Sequence, residues 1–164
     1  MPSPSRPAAP RGYSGTPLAK KLGIAAGCRL YTRDAPRNYA ALVAPLPEGV
    51  RLMRRVGADT DVIHLFATRR AQLERALRLA SSAMRADAAL WVSWPKRSSS
   101  LASELSEDQV RELALRLALV DVKVCAVDET WSGLKLVVRK AARAAWPPRA
   151  AEARRPVRTG ARSR

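Results

Sequence analysis

Residues 120–139 read VDVKVCAVDETWSGLKLVVR. Val120, Val122, Val124 and Ala126 alternate with Asp121, Lys123 and Cys125, and Leu134, Leu136 and Val138 alternate with Lys135 and Arg139. A period of two residues is that of a strand with one face buried. Only the six residues Asp128 to Gly133 separate the two runs. A parallel crossover needs about a dozen residues, so the two strands form an antiparallel hairpin.

Upstream, strands and helices alternate. Cys28–Arg33 is a short strand, and Arg37–Ala44 a short helix closed by Pro45 and Pro47. Val50–Val56 is a second strand, ended by Gly57. Asp61–Phe66 is apolar throughout its interior, as a strand covered on both faces must be. Leu73, Leu77, Ala80 and Met84 then form one stripe of a long helix, and Ala89–Trp94 is a further buried strand stopped by Pro95. Ser106 and Gln109 fit a capping box, opening a helix that carries Val110, Leu113, Ala114 and Leu117. Strand–helix–strand repeats give a parallel sheet with helices on both faces. The fold class is therefore α/β: a Rossmann-like three-layer domain with a mostly parallel sheet and a C-terminal antiparallel hairpin.

The chain has 164 residues, and the repeats fall between Thr16 and Ala141. Residues 16–141 are one domain, long enough to bury a core without disulfides or metal. Residues 1–15 and 142–164 are rich in Pro, Ala and Arg without apolar periodicity and read as disordered tails. Two cysteines and one histidine exclude a disulfide framework and a multi-histidine metal centre. Prolines replace the apolar stretch of a secretory signal, and no apolar run suits a membrane, so a cytoplasmic protein is expected. The net charge of +16 is concentrated at the ends: residues 1–22 carry +4, residues 141–164 carry +6, and the long middle only +6. Such tails attract nucleic acid weakly and without sequence preference.

A doubly wound sheet that closes with helix, strand, short turn and antiparallel strand resembles the C-terminal half of class I S-adenosylmethionine-dependent methyltransferases. The resemblance implies that Leu134–Arg139 inserts between the Ala89–Trp94 and Val120–Val127 strands. The stretches GYSGTPLAKKLGI, HLFATRR, ALWVSWPK and VDVKVCAVDETWSGLKLVVRK also resemble a family of small bacterial proteins without an established activity. The methyltransferase resemblance further implies a glycine-rich turn after the first strand and an acid ending the second. Here Tyr31–Pro36 holds no glycine, Arg54 and Arg55 stand where the acid belongs, and Asp59 comes late. The chain is also short by about one strand–helix unit between Val56 and Asp61. On these departures S-adenosylmethionine is not expected, nor any other cofactor.

Phosphate-loop and nucleophile-elbow motifs are missing. His64 lies inside a buried strand pattern and reads as a hydrogen-bonded core histidine; Cys28 and Cys125 read as small hydrophobes. No catalytic or metal-binding residue is assigned. Ligands of open parallel sheets sit beyond the carboxyl ends of the strands, where strand order reverses. That rim collects Asp34, Asn38 and Tyr39, then Thr68 and Arg69, then Ser93, Trp94 and Lys96. The loop Trp94–Ser100 combines an aromatic face, cations and hydroxyls, chemistry suited to an anion. Trp131, in the hairpin turn, either joins the rim or packs on the sheet end. The reading is a non-catalytic binding or interaction module on a degenerate methyltransferase-like fold, its partner a protein or an anionic small molecule. The alternatives are a divergent methyltransferase or other small-molecule enzyme, and non-specific nucleic-acid association through the tails.

Overall fold

A computed structural model of the chain describes residues 15–147. The six strands are β1 (Arg29–Arg33), β2 (Arg51–Met53), β3 (Val62–Phe66), β4 (Ala89–Pro95), β5 (Leu119–Ala126) and β6 (Trp131–Val138). They form one sheet in the order β2-β1-β3-β4-β6-β5. β1 is parallel to both β2 and β3, and β3 to β4. β6 is antiparallel to β4 on one side and β5 on the other. The hairpin strand therefore inserts as the sequence implies.

Helices cover both faces. α3 (Arg70–Ala83) and α4 (Glu107–Leu115) pack Leu73, Leu77, Val110 and Leu113 against Ile63, Leu90, Val92, Leu134 and Leu136. The opposite face holds two short helices, α1 (Leu18–Lys21) and α2 (Tyr39–Leu42). Ala19, Leu22, Tyr39 and Val43 there meet Leu30, Val62, Phe66 and Trp91. The indole N–H of Trp91 donates to the Leu22 carbonyl at 3.0 Å, fixing the α1 turn beneath β4. The capping box of α4 is complete, Ser106 and Gln109 each accepting from the other's backbone N–H.

Three expectations need correction. Alternation along β5 breaks at a bulge between Asp121 and Lys123. Two residues there oppose one on β6, so Val122 and Val124 are 54% and 53% exposed while Asp121 pairs with Arg111 of α4 at 3.2 Å. The folded part also continues past Ala141. Residues Lys140–Ala145 form a 3-10 helix, and Trp146 packs on the α3/α4 core, its N–H donating to the Met84 carbonyl at 2.8 Å. Composition hides this, because one anchored indole needs no periodicity. The remaining tail positions, 1–14 and 148–164, lie outside the described residues. Asp61, expected inside β3, sits just before it, where the Arg29 N–H and the Arg85 guanidinium hold its carboxyl below the usual range. Cys28 and Cys125 are both free thiols. Among the described residues no helix is long and apolar enough to cross a membrane.

Trp146→Ala, or truncation after Ala141, should lower unfolding free energy by about 1–3 kcal/mol in denaturant titration, since a half-buried indole and its hydrogen bond are lost. An unchanged midpoint would place residues 142–147 outside the cooperative unit.

Candidate functional site

The sheet reverses between β1 and β3. α2, after β1, lies on one face and α3, after β3, on the other, so the rim above these two strands is the position at which open parallel sheets take their ligands. β1 ends at Arg33, and the chain turns through Asp34 in the left-handed region, φ 55°. That conformation is rare outside glycine, and Asp is among the few side chains that tolerate it. β3 ends at Phe66, and Ala67, Thr68 and Arg69 lead into α3. Gln72, in the first turn of α3, spans the reversal point. Its Oε1 accepts from the Thr68 N–H at 3.0 Å, and its Nε2 donates to Asp34 Oδ2 at 3.1 Å. Arg33 Nε lies 3.8 Å from the same carboxylate. The loop after β4 closes over this point, Glu104 N–H and Ser103 Oγ both donating to the Thr68 carbonyl, at 2.9 and 3.3 Å.

The nine candidate residues divide into two groups. Asp34, Asn38 and Arg69 are exposed on the rim, with Thr68 and Lys96 half-buried. Tyr39, Ser93, Trp94 and Trp131 are buried. Two of these turn inward to one imidazole: the Tyr39 hydroxyl lies 3.0 Å from His64 Nδ1, and Ser93 Oγ 2.7 Å from His64 Nε2. A neutral imidazole supplies one donor and one acceptor, so it satisfies one donor and one acceptor hydroxyl in either tautomer. Burial pushes the His64 pKa down to about 3 and raises that of the Tyr39 phenol, keeping both groups uncharged. Phe66 stacks on His64 with centroids 4.3 Å apart and receives Trp131 edge-on at 5.0 Å. Trp131 thus packs on the sheet end. Trp94 belongs to the α3/α4 core.

The Trp94–Ser100 loop differs from the anion cradle that its composition suggests. Ser99 donates both its N–H and its hydroxyl to the Lys96 carbonyl, and the Lys96 N–H donates to Thr130. The depression beside it, about 400 Å³, places Lys96 and Arg97 with Glu107 and Asp108, so its charges balance. Sequence reading missed Gln72, which a search of first-turn positions for capping side chains would have found. Among the described residues no group of three His, Cys, Asp or Glu side chains is arranged to hold a metal.

No family model matches the chain, and no curated protein is similar to it in sequence. Solved structures do match its fold. A SAM dependent methyltransferase from Aquifex aeolicus aligns with a TM-score of 0.53 at 13% identity, covering 74% of this chain and 88% of that one. The mitomycin 7-O-methyltransferase MmcR aligns with a TM-score of 0.53 at 16% identity, covering 71% of this chain and 50% of that one. The chain has a methyltransferase-like Rossmann fold. These likenesses correct the expectation that S-adenosylmethionine has no place here. That expectation leaned on shortness and on a missing glycine. Yet the alignment spans 88% of a SAM dependent enzyme, and Asp34 adopts the left-handed turn without glycine.

The buried histidine carries a pH signature. Between pH 6.5 and about 3 the unfolded chain binds a proton that native His64 refuses, so stability from this group falls as pH drops through that window. Its share of the slope is at most about 1.4 kcal/mol per pH unit and fades to near zero above about pH 8, where the unfolded imidazole is neutral too. Denaturant titrations at several pH values should therefore give His64→Gln a shallower acid slope than wild type. Parallel slopes would mean that native His64 titrates normally.

Proposed function

We propose that the chain is a ligand-binding domain on the methyltransferase-like fold, and that its ligand is an S-adenosyl compound at the reversal point between β1 and β3. The observation that carries this reading is the left-handed turn at Asp34, tied through Gln72 to the end of β3. The donor set suits the amino-acid end of such a ligand. Asp34 offers a carboxylate to an ammonium or to hydroxyls, Arg69 a guanidinium to a carboxylate, and Thr68 a hydroxyl. The end of β2 offers Arg54 and Arg55 rather than an acid for ribose hydroxyls, which leaves Asp34 as the carboxylate available there. Binding without chemistry is favoured because His64, the chain's one imidazole, is buried with both nitrogens engaged. When bound, an S-adenosyl compound would bring an electrophilic methyl group to the rim. A divergent methyltransferase is the second reading, supported by the fold likeness.

Calorimetric titration of S-adenosylmethionine and S-adenosylhomocysteine tests the proposal. Both should bind, and at a concentration about a hundredfold above Kd each should add about 2.7 kcal/mol to stability. Asp34→Asn keeps a side chain that tolerates the left-handed turn but removes the charge, and should weaken binding about tenfold, or about 1.4 kcal/mol. No heat with either compound, or unchanged affinity in Asp34→Asn, contradicts the assignment. Turnover to S-adenosylhomocysteine would move the reading from binding to catalysis.

A further inference from the structure

We infer that the rim over β2, β1 and β3 is also a binding surface for a phosphate polymer of the kind a nucleic-acid strand presents. Arg54 and Arg55 follow β2 directly, Arg33 closes β1, Arg37 lies in the turn beyond it, and Arg69 follows β3. Strand order sets these three ends side by side, across two spacings or about 10 Å. Arg37, Arg54, Arg55 and Arg69 are exposed, and none of the four has an ion pair among the described residues. Of the five, Arg33 alone makes an ion pair among the described residues, with Asp34 at 3.8 Å.

Elsewhere the arginines are scattered: several are neutralised, while Arg51, Arg75, Arg97, Arg139 and Arg143 are exposed without an ion pair among the described residues but are not gathered on these three strand ends. Arg78 meets Glu74, Arg85 meets Asp61 and Asp87, and Arg111 meets Glu107, Asp108 and Asp121. Uncompensated guanidinium groups gathered on one rim repel one another, and an anion relieves that repulsion. Their planar forks match phosphate oxygens in pairs, which a lysine cannot do. Phosphates recur about every 3.4 Å along a strand of duplex DNA, so a 10 Å rim faces several of them rather than one. The carboxylates of Asp128 and Glu129 lie beyond β4 and β6, which confines a polyanion to the arginine half. Leu52, 67% exposed between Arg51 and Arg54, adds an apolar contact on the same strand. This surface rests on the rim being the ligand face, not on which small molecule occupies it.

The test uses the full chain, so that the tail arginines are constant, and a labelled oligouridylate read by fluorescence anisotropy. Salt is varied between about 50 and 200 mM. Arg54→Ala/Arg55→Ala should bind about fivefold or more weakly, and its slope of log K against log salt should fall by about 1.4, two single-strand contacts at about 0.7 each. Arg139→Ala/Lys140→Ala, at the opposite end of the sheet, should bind like wild type. Unchanged affinity and slope in the first variant, or an equal loss in the second, overturns the inference. S-adenosylhomocysteine titrated into both variants and wild type reads the other site separately. RNA loss confined to Arg54→Ala/Arg55→Ala supports the surface whether or not that compound binds.

Discussion

The antiparallel ladder between Leu90–Pro95 of β4 and Trp131–Leu136 of β6 holds the rest of the molecule in place. A parallel sheet ending at β4 would expose a long apolar strand edge, which invites association with other chains. β6 satisfies that edge, and its Leu134, Leu136 and Val138 extend the floor on which α3 and α4 rest. The hairpin returns tightly at Gly133: a Cβ there would meet Val127 Cγ2 at 3.2 Å and Cys125 Sγ at 3.3 Å, so those side chains would have to give by a few tenths of an ångström to admit one. The outer edge then falls to β5, which the bulge at Asp121 and the exposed Lys123 make a poor template for pairing.

With the sheet closed on that side, polar chemistry is left to the other half. The helices diverge from β1 and β3 to opposite faces, and the gap above those strands is bridged by one amide, Gln72. Beneath the gap the Tyr39–His64–Ser93 chain links α2, β3 and β4. Each of these polar groups is buried, and leaving one unpaired would cost about 1–3 kcal/mol, so the chain locks α2 and both strands in register. It stiffens the floor of the rim.

Much of this architecture was legible in the residues. The six-residue separation within the hairpin excluded a crossover, and Ser106 with Gln109 announced its own cap. The rest depended on long-range partners that no local pattern encodes. α1 is only four residues long and is fixed by the Trp91 indole, far away in sequence. Tyr39 and Ser93 look like rim residues until His64 draws them inward, and Trp146 looks like tail until Met84 accepts its N–H. The bulge in β5 falls at Asp121, whose carboxylate meets Arg111 of another element, and a count of alternating residues does not show it. Asp34 shows the reverse case. Absence of glycine argued against a ligand turn, yet the backbone makes the turn with an aspartate.

Amide chemical-shift mapping with S-adenosylhomocysteine tests most directly the claim that the reversal point of the sheet is the ligand face. The account predicts that the largest changes fall on Asp34–Asn38 and Thr68–Gln72, with the opposite strand ends around Gly27, Gly49 and Arg85 unmoved. Changes gathered at those opposite ends, or no change anywhere at saturating ligand, would contradict it.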